Sequence, residues 1–451
     1  MSLETNREQV SVRLEKALLV SVALPDRPWV GEDPLDELRG LATTAGARVV
    51  GGLCQKRQNI NPATYIGKGK VAELCELVHA TDADVVLFDN DLSPPQIRNL
   101  EKATDVKVLD RSEVILDIFA TRARSVEARL QVELAQLEYA LPRLRQMWSH
   151  LGRISGGIGA RGPGETQLEE DRRLVDGRIR DLKSRLVEVQ ARKQREVATR
   201  YEEHTVSLVG YTNAGKSTLM NALTGAGVLA ENKLFSTLDT RTRQWRLKAK
   251  DEKKTEKRAE SSFSCRVLLS DTVGFIRDLP HHLIASFKAT LEEARQARLL
   301  LHVVDASNPT AEDQIRAVND VLKELGCGDR PTLLVLNKVD RIPDLAFLQV
   351  LQQHHPRAVA ISAATRQGLD ELQKAVAEEI GSDFSAAVVE TAAGNGKVLS
   401  YLAAHAEIFK HDFDEDRVTV HCSLPRHLLH HIQGPDVTVR FLDAGISEPP
   451  A

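Results

Sequence analysis

The sequence predicts an α/β protein with a long antiparallel helical hairpin in its middle and a small α+β unit at its C-terminal end. Three observations carry this. β-branched runs alternate with helical stretches on both sides of the middle. Two stretches in the middle repeat apolar residues every three or four positions, and the segment joining them, residues 150–164, holds six glycines. At 451 residues, with 42% hydrophobic and 27% charged, the chain is globular and long enough for about three domains. No apolar run approaches the roughly 18 residues of a membrane span. The nearest, Ala17–Leu24, follows Glu4, Glu8 and Glu15 and reads as a first strand, not a signal peptide. The five cysteines (54, 75, 265, 327 and 422) form no Cys-x-x-Cys pair, so neither a zinc site nor a disulfide framework is expected. These features predict a cytoplasmic protein without membrane insertion.

Taken in order, residues 1–15 are polar and predict a flexible leader. Residues 16–122 predict an N-terminal α/β subdomain, with strands at Leu18–Leu24, Arg48–Leu53, Val85–Phe88 and Val106–Leu109. Helices at Asp36–Ala45, Val71–Thr81 and Pro95–Ala103 lie between them, the alternation of a parallel sheet. Residues 123–203 predict the hairpin. Leu130, Leu134, Leu137, Leu141, Leu144 and Trp148 face Leu168, Val175, Ile179, Leu182, Leu186 and Val189 across a coiled-coil seam, with a tip at 150–164 and a kink at Pro142. Residues 122–200 carry 17 Lys/Arg, 15 of them Arg, against 11 Asp/Glu. The arm is therefore basic (+6) although the whole chain is at −4, which leaves −10 for the remainder. Residues 204–381 alternate strand and helix again, interrupted by ten charges within Lys248–Glu260, a mobile insertion. Residues 382–451 predict the α+β unit, with strands at Val418–Val420 and Val437–Phe441 and a helix at Pro425–Gln433.

The chemistry concentrates after residue 204. Residues 210–217, Gly-Tyr-Thr-Asn-Ala-Gly-Lys-Ser, follow the predicted strand Thr205–Val209 and open the predicted helix Ser217–Leu223. This is a phosphate loop in its required context. Gly210, Asn213, Ala214 and Gly215 let backbone N–H groups wrap phosphates, Lys216 reaches the β and γ oxygens, and Ser217, followed by Thr218, ligates Mg²⁺. The strand Arg266–Ser270 runs into Asp271-Thr-Val-Gly274, where Asp271 would hold Mg²⁺ and the Gly274 N–H would sense a γ-phosphate. The strand Leu333–Leu336 ends in Asn337-Lys338-Val-Asp340. A carboxylate at Asp340 can accept two hydrogen bonds from the guanine N1–H and 2-amino groups, while Lys338 lies along the base and Asn337 braces the loop. A further strand, Ala358–Ile361, delivers Ser362 and Ala363 to the guanine O6. These elements in this order predict a P-loop GTPase G domain that binds GTP and GDP.

Two positions modify that reading. Thr237 is the candidate switch I ligand of Mg²⁺ and the γ-phosphate, with Thr240 as the alternative. Phe275 stands where Ras-like enzymes place a water-orienting glutamine, so hydrolysis is slow alone or completed from elsewhere. Lys216, Thr237 and Gly274 are the candidate catalytic residues. Asn213 is a candidate ligand for K⁺, with a loop-bracing amide as the alternative. Tyr65-Ile-Gly-Lys-Gly-Lys70 reads as a turn into a helix, with a second phosphate loop as the competing reading. The histidine pairs 281/282, 354/355 and 430/431 read as surface residues.

Several segments outside the G domain resemble the HflX family of translational GTPases. They are residues 65–74 and 92–100, Asp117-Ile-Phe-Ala-Thr-Arg122, residues 131–137 with Pro142-Arg-Leu144, and above all Gly156-Gly-Ile-Gly-Ala-Arg-Gly-Pro-Gly-Glu-Thr-Gln-Leu-Glu169. The resemblance covers about residues 16–440. It implies binding to the large ribosomal subunit and its rRNA, splitting or rescue of stalled ribosomes, notably in heat stress, and a nucleotide-binding N-terminal region that takes ATP. The Lys248–Glu260 insertion and Ala160 depart from the family pattern. Arg153, Gly156, Gly157, Gly159, Arg161, Gly162 and Gly164 are the candidate ribosome-binding residues, since arginine pairs phosphate and glycine admits close backbone approach. A tRNA-modifying or RNA-remodelling GTPase is the alternative; it would need a further substrate site, often a cysteine near the C-terminus. A monomer is expected.

Overall fold

The computed structural model describes residues 15–441 except 30, 152–162, 199–203, 226–233, 236–240, 250–262, 278–291, 343–344, 382–383, 415, 426–431 and 433–435. Its first unit is a parallel sheet of β1 (Lys16–Ala23), β2 (Arg48–Lys56), β3 (Val85–Phe88) and β4 (Lys107–Leu109) in the order β2-β1-β3-β4. The helices are α1 (Asp36–Ala45), α2 (Lys68–Thr81), α3 (Pro94–Thr104) and α4 (Arg111–Arg122). Strand β1 is apolar almost throughout because both its faces are covered, and seven of its eight residues are buried. Helix α4 begins where the Asp110 carboxylate accepts the Glu113 N–H at 3.0 Å.

The hairpin consists of α5 (Val126–Leu151) and α6 (Pro163–Ala198), 26 and 36 residues, or about 39 and 54 Å at 1.5 Å per residue. Leu134, Ile179, Leu182 and Leu186 form the buried seam, flanked by Leu130, Leu137, Leu141 and Val175. Arg178–Glu133 at 2.7 Å and Lys183–Glu138 at 2.8 Å tie its edges. Pro142 lies inside α5, which continues through it to Leu151. The helices run further than expected, so Gly164 falls in the first turn of α6 and the joint shrinks to 152–162. Its other expected ribosome contacts, from Arg153 to Gly162, lie outside the described residues, as does the leader up to residue 14. At its root α5 joins the first unit, with Ala128, Val132 and Ala135 in the same apolar cluster as α1 and α4. There the Tyr139 hydroxyl donates to Asp110 at 2.6 Å.

The second unit is a six-stranded sheet of β5 (His204–Val209), β6 (Arg241–Ala249), β7 (Phe263–Asp271), β8 (Leu299–Asp305), β9 (Thr332–Asn337) and β10 (Val359–Ala360). The order is β10-β9-β8-β5-β7-β6, parallel except for β6. Its helices are α7 (Lys216–Thr224), α8 (Glu292–Gln296), α9 (Ala311–Glu324), α10 (Leu345–His354) and α11 (Leu369–Gly381). The chain runs from β5 to β7 on one side and returns to β8 on the other, which places the β5 carboxyl end at a topological switch point. Lys248 and Ala249 of the expected insertion extend β6, and 250–262 lie outside the described residues.

The third unit is an antiparallel sheet, β12-β13-β11-β14, with one helix. It contains β11 (Phe384–Ala392), α12 (Gly396–His405), β12 (Glu407–Asp414), β13 (Arg417–Pro425) and β14 (Val437–Phe441). Pro425 ends a strand, where its missing N–H costs nothing, instead of opening the expected helix. The remainder of that helix, other than Ile432, lies outside the described residues. Among the described residues no helix is long and apolar enough to cross a membrane, and no cluster could hold a metal through His, Cys, Asp and Glu. His354 and His355 both contact Glu312, at 3.1 and 3.2 Å. The other two histidine pairs are not described.

Candidate functional site

The carboxyl end of β5 turns sharply into α7. Gly210 has φ +144°, and a Cβ there would lie 2.1 Å from the Val303 carbonyl oxygen, so only glycine fits. Gly215 has φ +96°, and a Cβ would lie 2.3 Å from Asn337 Nδ2. Asn213 takes φ +60°, a conformation asparagine tolerates better than other side chains.

Lys216 opens α7 and is buried. Its ammonium donates to the Gly210 and Tyr211 carbonyls at 3.0 and 2.8 Å. Burial pushes it down to about 8, against the opposing charge of Asp271. The Ser217 hydroxyl donates to Asp271 Oδ2 at 2.7 Å, so two hard oxygen donors from different elements meet at the loop. Such a pair suits Mg²⁺. Thr218 follows on α7.

The Asp271–Gly274 segment is joined to the loop by its main chain. Phe275 N–H donates to the Gly210 carbonyl at 3.1 Å, and Thr212 N–H donates to the Phe275 carbonyl at 2.7 Å. A Cβ on Gly274 would sit 2.8 Å from Thr212 Cα and 3.0 Å from Lys216 Nζ. Asn337 bridges two loops: its Nδ2 donates to the Ala214 carbonyl at 2.8 Å, and its Oδ1 accepts the Ala363 N–H at 3.0 Å. Lys338, at φ +63°, pairs with Asp305 at 2.6 Å. Asp340 is exposed in the 3-10 turn Val339–Arg341. Ser362 is fully buried, its N–H donating to the Gln367 carbonyl at 3.0 Å. The expected phosphate, magnesium and base loops therefore converge on one sheet edge. Thr237 lies outside the described residues.

Sequence reasoning missed the seat of this edge against the first unit. Glu37 of α1 accepts the Tyr211 hydroxyl at 2.8 Å and an Arg111 N–H at 2.6 Å. Tyr211 in turn accepts the Arg277 N–H at 2.7 Å, and Arg111 donates to the Arg277 carbonyl at 2.8 Å and pairs with Asp89. Burial works against the Glu37 carboxylate, but Arg111, Arg277 and the Tyr211 hydroxyl overcome it and hold the carboxyl below its usual range. Burial pushes Asp89 up, and the Glu37 charge adds to that, against Arg111. The loop before Thr237 is held too. Leu234 N–H donates to Thr44 Oγ1 at 3.2 Å, and the Phe235 ring meets Phe119 edge-on with centroids 4.7 Å apart. No local signal marks these residues, because each pairing joins distant stretches of chain.

A parallel sheet whose carboxyl edge gathers a phosphate loop, a DxxG segment and an NKxD loop defines a P-loop GTPase. Family models described as GTP-binding GTPase N-terminal, GTP-binding GTPase Middle Region and 50S ribosome-binding GTPase match residues 32–120, 122–200 and 205–338. The chain is 43% identical over 415 residues to the GTPase HflX of Caldanaerobacter subterraneus, covering 92% of each. It is 44% identical over 387 residues to the GTPase HflX of Escherichia coli, covering 85% of this chain and 88% of that one. The chain belongs to the HflX family of GTPases. A solved GTP-binding protein from Sulfolobus solfataricus in complex with GDP is 22% identical, with a TM-score of 0.41, over 81% of this chain and 98% of the other.

Proposed function

We propose that this GTPase acts on the large ribosomal subunit and splits or rescues stalled ribosomes, above all under heat stress, as a cytoplasmic monomer. The observation that carries the reading is the pairing of a sheet edge that bears the phosphate loop, the DxxG segment and the NKxD loop with a long, arginine-rich hairpin rooted in the same apolar cluster. The description of the matching G-domain model, a 50S ribosome-binding GTPase, supports it. In this reading the chain divides into a leader (1–15), an N-terminal subdomain (16–122), the hairpin (123–203), the G domain (204–381) and a C-terminal α+β domain (382–451).

In this reading each residue takes the role that its motif assigns. Backbone N–H groups of residues 213–218 bind the phosphates, and Lys216 leaves its two loop carbonyls for the β and γ oxygens. Ser217, Asp271 and Thr237 hold Mg²⁺, which when bound neutralises charge on those oxygens. Gly274 senses the γ-phosphate, Asp340 and Lys338 read guanine, and Ser362 and Ala363 face its O6. Asn213 holds K⁺. With Phe275 buried and apolar, turnover by the protein alone is on the order of 10⁻⁴ to 10⁻² per second, and ribosomal particles raise it. ATP binds the N-terminal subdomain. The tip, from Arg153 to Gly164, enters rRNA, where glycine admits close approach and arginine contacts weaken with salt.

The competing tRNA-modifying reading loses its reactive thiol: Cys422 is buried in β13, and burial pushes it up to about 11. The test is co-sedimentation with ribosomal particles in GTP, GDP and a non-hydrolysable analogue, repeated with Gly156–Gly164 replaced by a short turn. The shortened protein should keep its nucleotide affinity and lose particle splitting. Splitting at the parental rate would reduce the hairpin to a strut.

A further inference from the structure

Asp305, the last residue of β8, has no part in the nucleotide reading so far. Its two carboxylate oxygens serve different partners. Oδ1 accepts the Ser307 N–H at 3.1 Å and the Ser307 hydroxyl at 2.6 Å, which shapes the turn after β8. Oδ2 accepts the Lys338 ammonium at 2.6 Å. Both side chains of this pair are mostly buried, at 17% and 15% exposure. The pair joins neighbouring strand ends: Asp305 lies opposite Asn337 in the ladder of β8 and β9, and the Ala306 N–H donates to the Asn337 carbonyl at 2.9 Å.

The pair gives the Lys338 side chain a fixed course. A Cβ built on Gly215 would stand 4.0 Å from Lys338 Cε, so the lysine stem lies against the phosphate loop while its ammonium reaches β8. Asn337, one residue earlier, is tied to the Ala214 carbonyl and the Ala363 N–H. The lysine is therefore held at both ends, its main chain beside the Asn337 brace and its ammonium on Asp305. A free lysine stem samples many rotamers, and ordering it when a ligand arrives subtracts from affinity. A base laid along the stem also takes water from the ammonium, which is costly unless a counter-charge is already in place. Asp305 removes both costs.

We infer that Asp305 is a positioning residue for guanine-nucleotide binding, which fixes the Lys338 stem as a preformed apolar ledge for the base and supplies the counter-charge its ammonium needs. The inference rests on the reading of Lys338 as a base contact. Its consequences differ from those of Asp340. The base is common to GTP and GDP, so Asp305 acts equally on both and leaves the hydrolytic step alone. It works through the face of the base and not its edge, so it does not set the preference for guanine over xanthine.

The test is a double-mutant cycle in the full-length protein with Asp305→Asn, Lys338→Met and the two together. Asparagine keeps an oxygen for Ser307 but can turn an amide donor toward Lys338; methionine keeps an apolar stem and removes the charge. Affinities for fluorescent GDP, a non-hydrolysable GTP analogue and xanthosine diphosphate are measured, with the single-turnover GTP hydrolysis rate at saturation. Asp305→Asn should weaken GDP and the GTP analogue by the same factor, about tenfold, the effect of losing one charge-assisted hydrogen bond. The saturated rate and the preference for guanine over xanthine should stay within about twofold of the parent. On the Lys338→Met background, Asp305→Asn should cost no more than about twofold. Asp305→Ser takes its place in the cycle if the asparagine variant does not fold. Unchanged or tighter binding by Asp305→Asn overturns the inference, tighter binding because it marks the pair as a latch that the nucleotide must open. A full tenfold loss on the Lys338→Met background also overturns it, because the effect then does not pass through the lysine. If Lys338→Met binds GDP as tightly as the parent, the reading of Lys338 falls, and this inference with it.

Discussion

Tyr211→Phe removes one oxygen atom and tests how the phosphate-binding edge is seated. The hydroxyl donates to the Glu37 carboxylate at 2.8 Å, across the boundary between the first two sheets, and accepts the Arg277 N–H at 2.7 Å within the second unit. Tyr211 is 8% exposed, so water does not simply replace either bond. A hydrogen bond to a charged group contributes about 1.5–3 kcal/mol, and a buried N–H left without its partner costs about 1 kcal/mol more. Glu37 keeps Arg111 at 2.6 Å and Arg277 at 3.7 Å, which argues for the lower half of that range. The expected loss is about 3 kcal/mol of local seating, a factor of about 100 at 1.4 kcal/mol per tenfold. A chain of several units need not unfold in one step, so the assay should read amides singly by hydrogen exchange. The amides of Thr212 and Phe275, bonded to the Phe275 and Gly210 carbonyls, should lose up to about 100-fold in protection. Those of β1, in the middle of the first sheet, should not change. Nucleotide binding should survive, because Lys216 contacts the Tyr211 carbonyl, which the substitution keeps. Unchanged protection at both amides would refute the reasoning, and so would an equal fall across both sheets.

Three further outcomes follow from the site. Asp340→Asn should weaken GTP by orders of magnitude and gain xanthosine triphosphate, whose 2-oxo group suits an amide donor; unchanged GTP affinity would remove Asp340 from base reading. Lys216 is held down to about 8 in the free protein and phosphate favours its charged form, so GTP binding near pH 9 should take up a proton and weaken as pH rises further. Calorimetry in buffers of different ionisation enthalpy measures that uptake, and heats independent of buffer would contradict it. His302 in β8 is pushed down to about 3 by burial, then by the charge of Lys216 and by His355. Its unfolded pKa is about 6.5, so its contribution to stability is complete above that pH and is lost as pH falls toward about 3, at up to ~1.4 kcal/mol per unit. His302→Leu should flatten the urea-unfolding stability profile between pH 6.5 and 5, and an identical slope would clear His302 of the acid sensitivity.

How much of this could be read in advance depends on the reach of each interaction. Val85–Phe88, Asp36–Ala45 and Val437–Phe441 stand within the predicted bounds because pattern and punctuation lie in the same few residues. The phosphate loop was legible for the same reason, since its glycines, lysine and serine are fixed by local backbone geometry. β11, α12 and β12 were not. Phe384–Ala392 mixes small, apolar and polar residues without clean alternation, and it is a strand because β13 and β14 pair with it on both sides. β12 carries Glu407, Lys410, Asp412 and Asp414, which obscure any apolar pattern, yet it is an edge strand, where charges guard against foreign pairing. The group of Glu37, Asp89, Arg111, Tyr211 and Arg277 shows the limit most plainly. Tyr211 and Glu37 are 174 positions apart, and no period links them.

Phe275 changes meaning once its surroundings are known. From sequence it is a missing glutamine, a loss of the amide that would orient water. In the fold it is a core residue that shares one apolar cluster with Leu38 and Leu41 of α1, Phe119 of α4 and Phe235 of the loop before Thr237. Ala128, Val132 and Ala135 at the root of the hairpin belong to the same cluster. The position after Gly274 is therefore apolar for a structural reason, since a glutamine there would place an amide among carbon atoms at the cost of an unpaired polar group. Close packing resists small displacements, so a shift of Gly274 would press through Phe275 on α1, α4 and the base of α5. Contiguity of this kind is the physical precondition for coupling, and thermodynamic reciprocity then fixes its form. If nucleotide state alters how the hairpin binds its partner, the bound partner must alter nucleotide affinity by the same factor. A partner that only touched the hairpin, leaving this cluster undisturbed, would bind equally well whichever nucleotide occupied the loop.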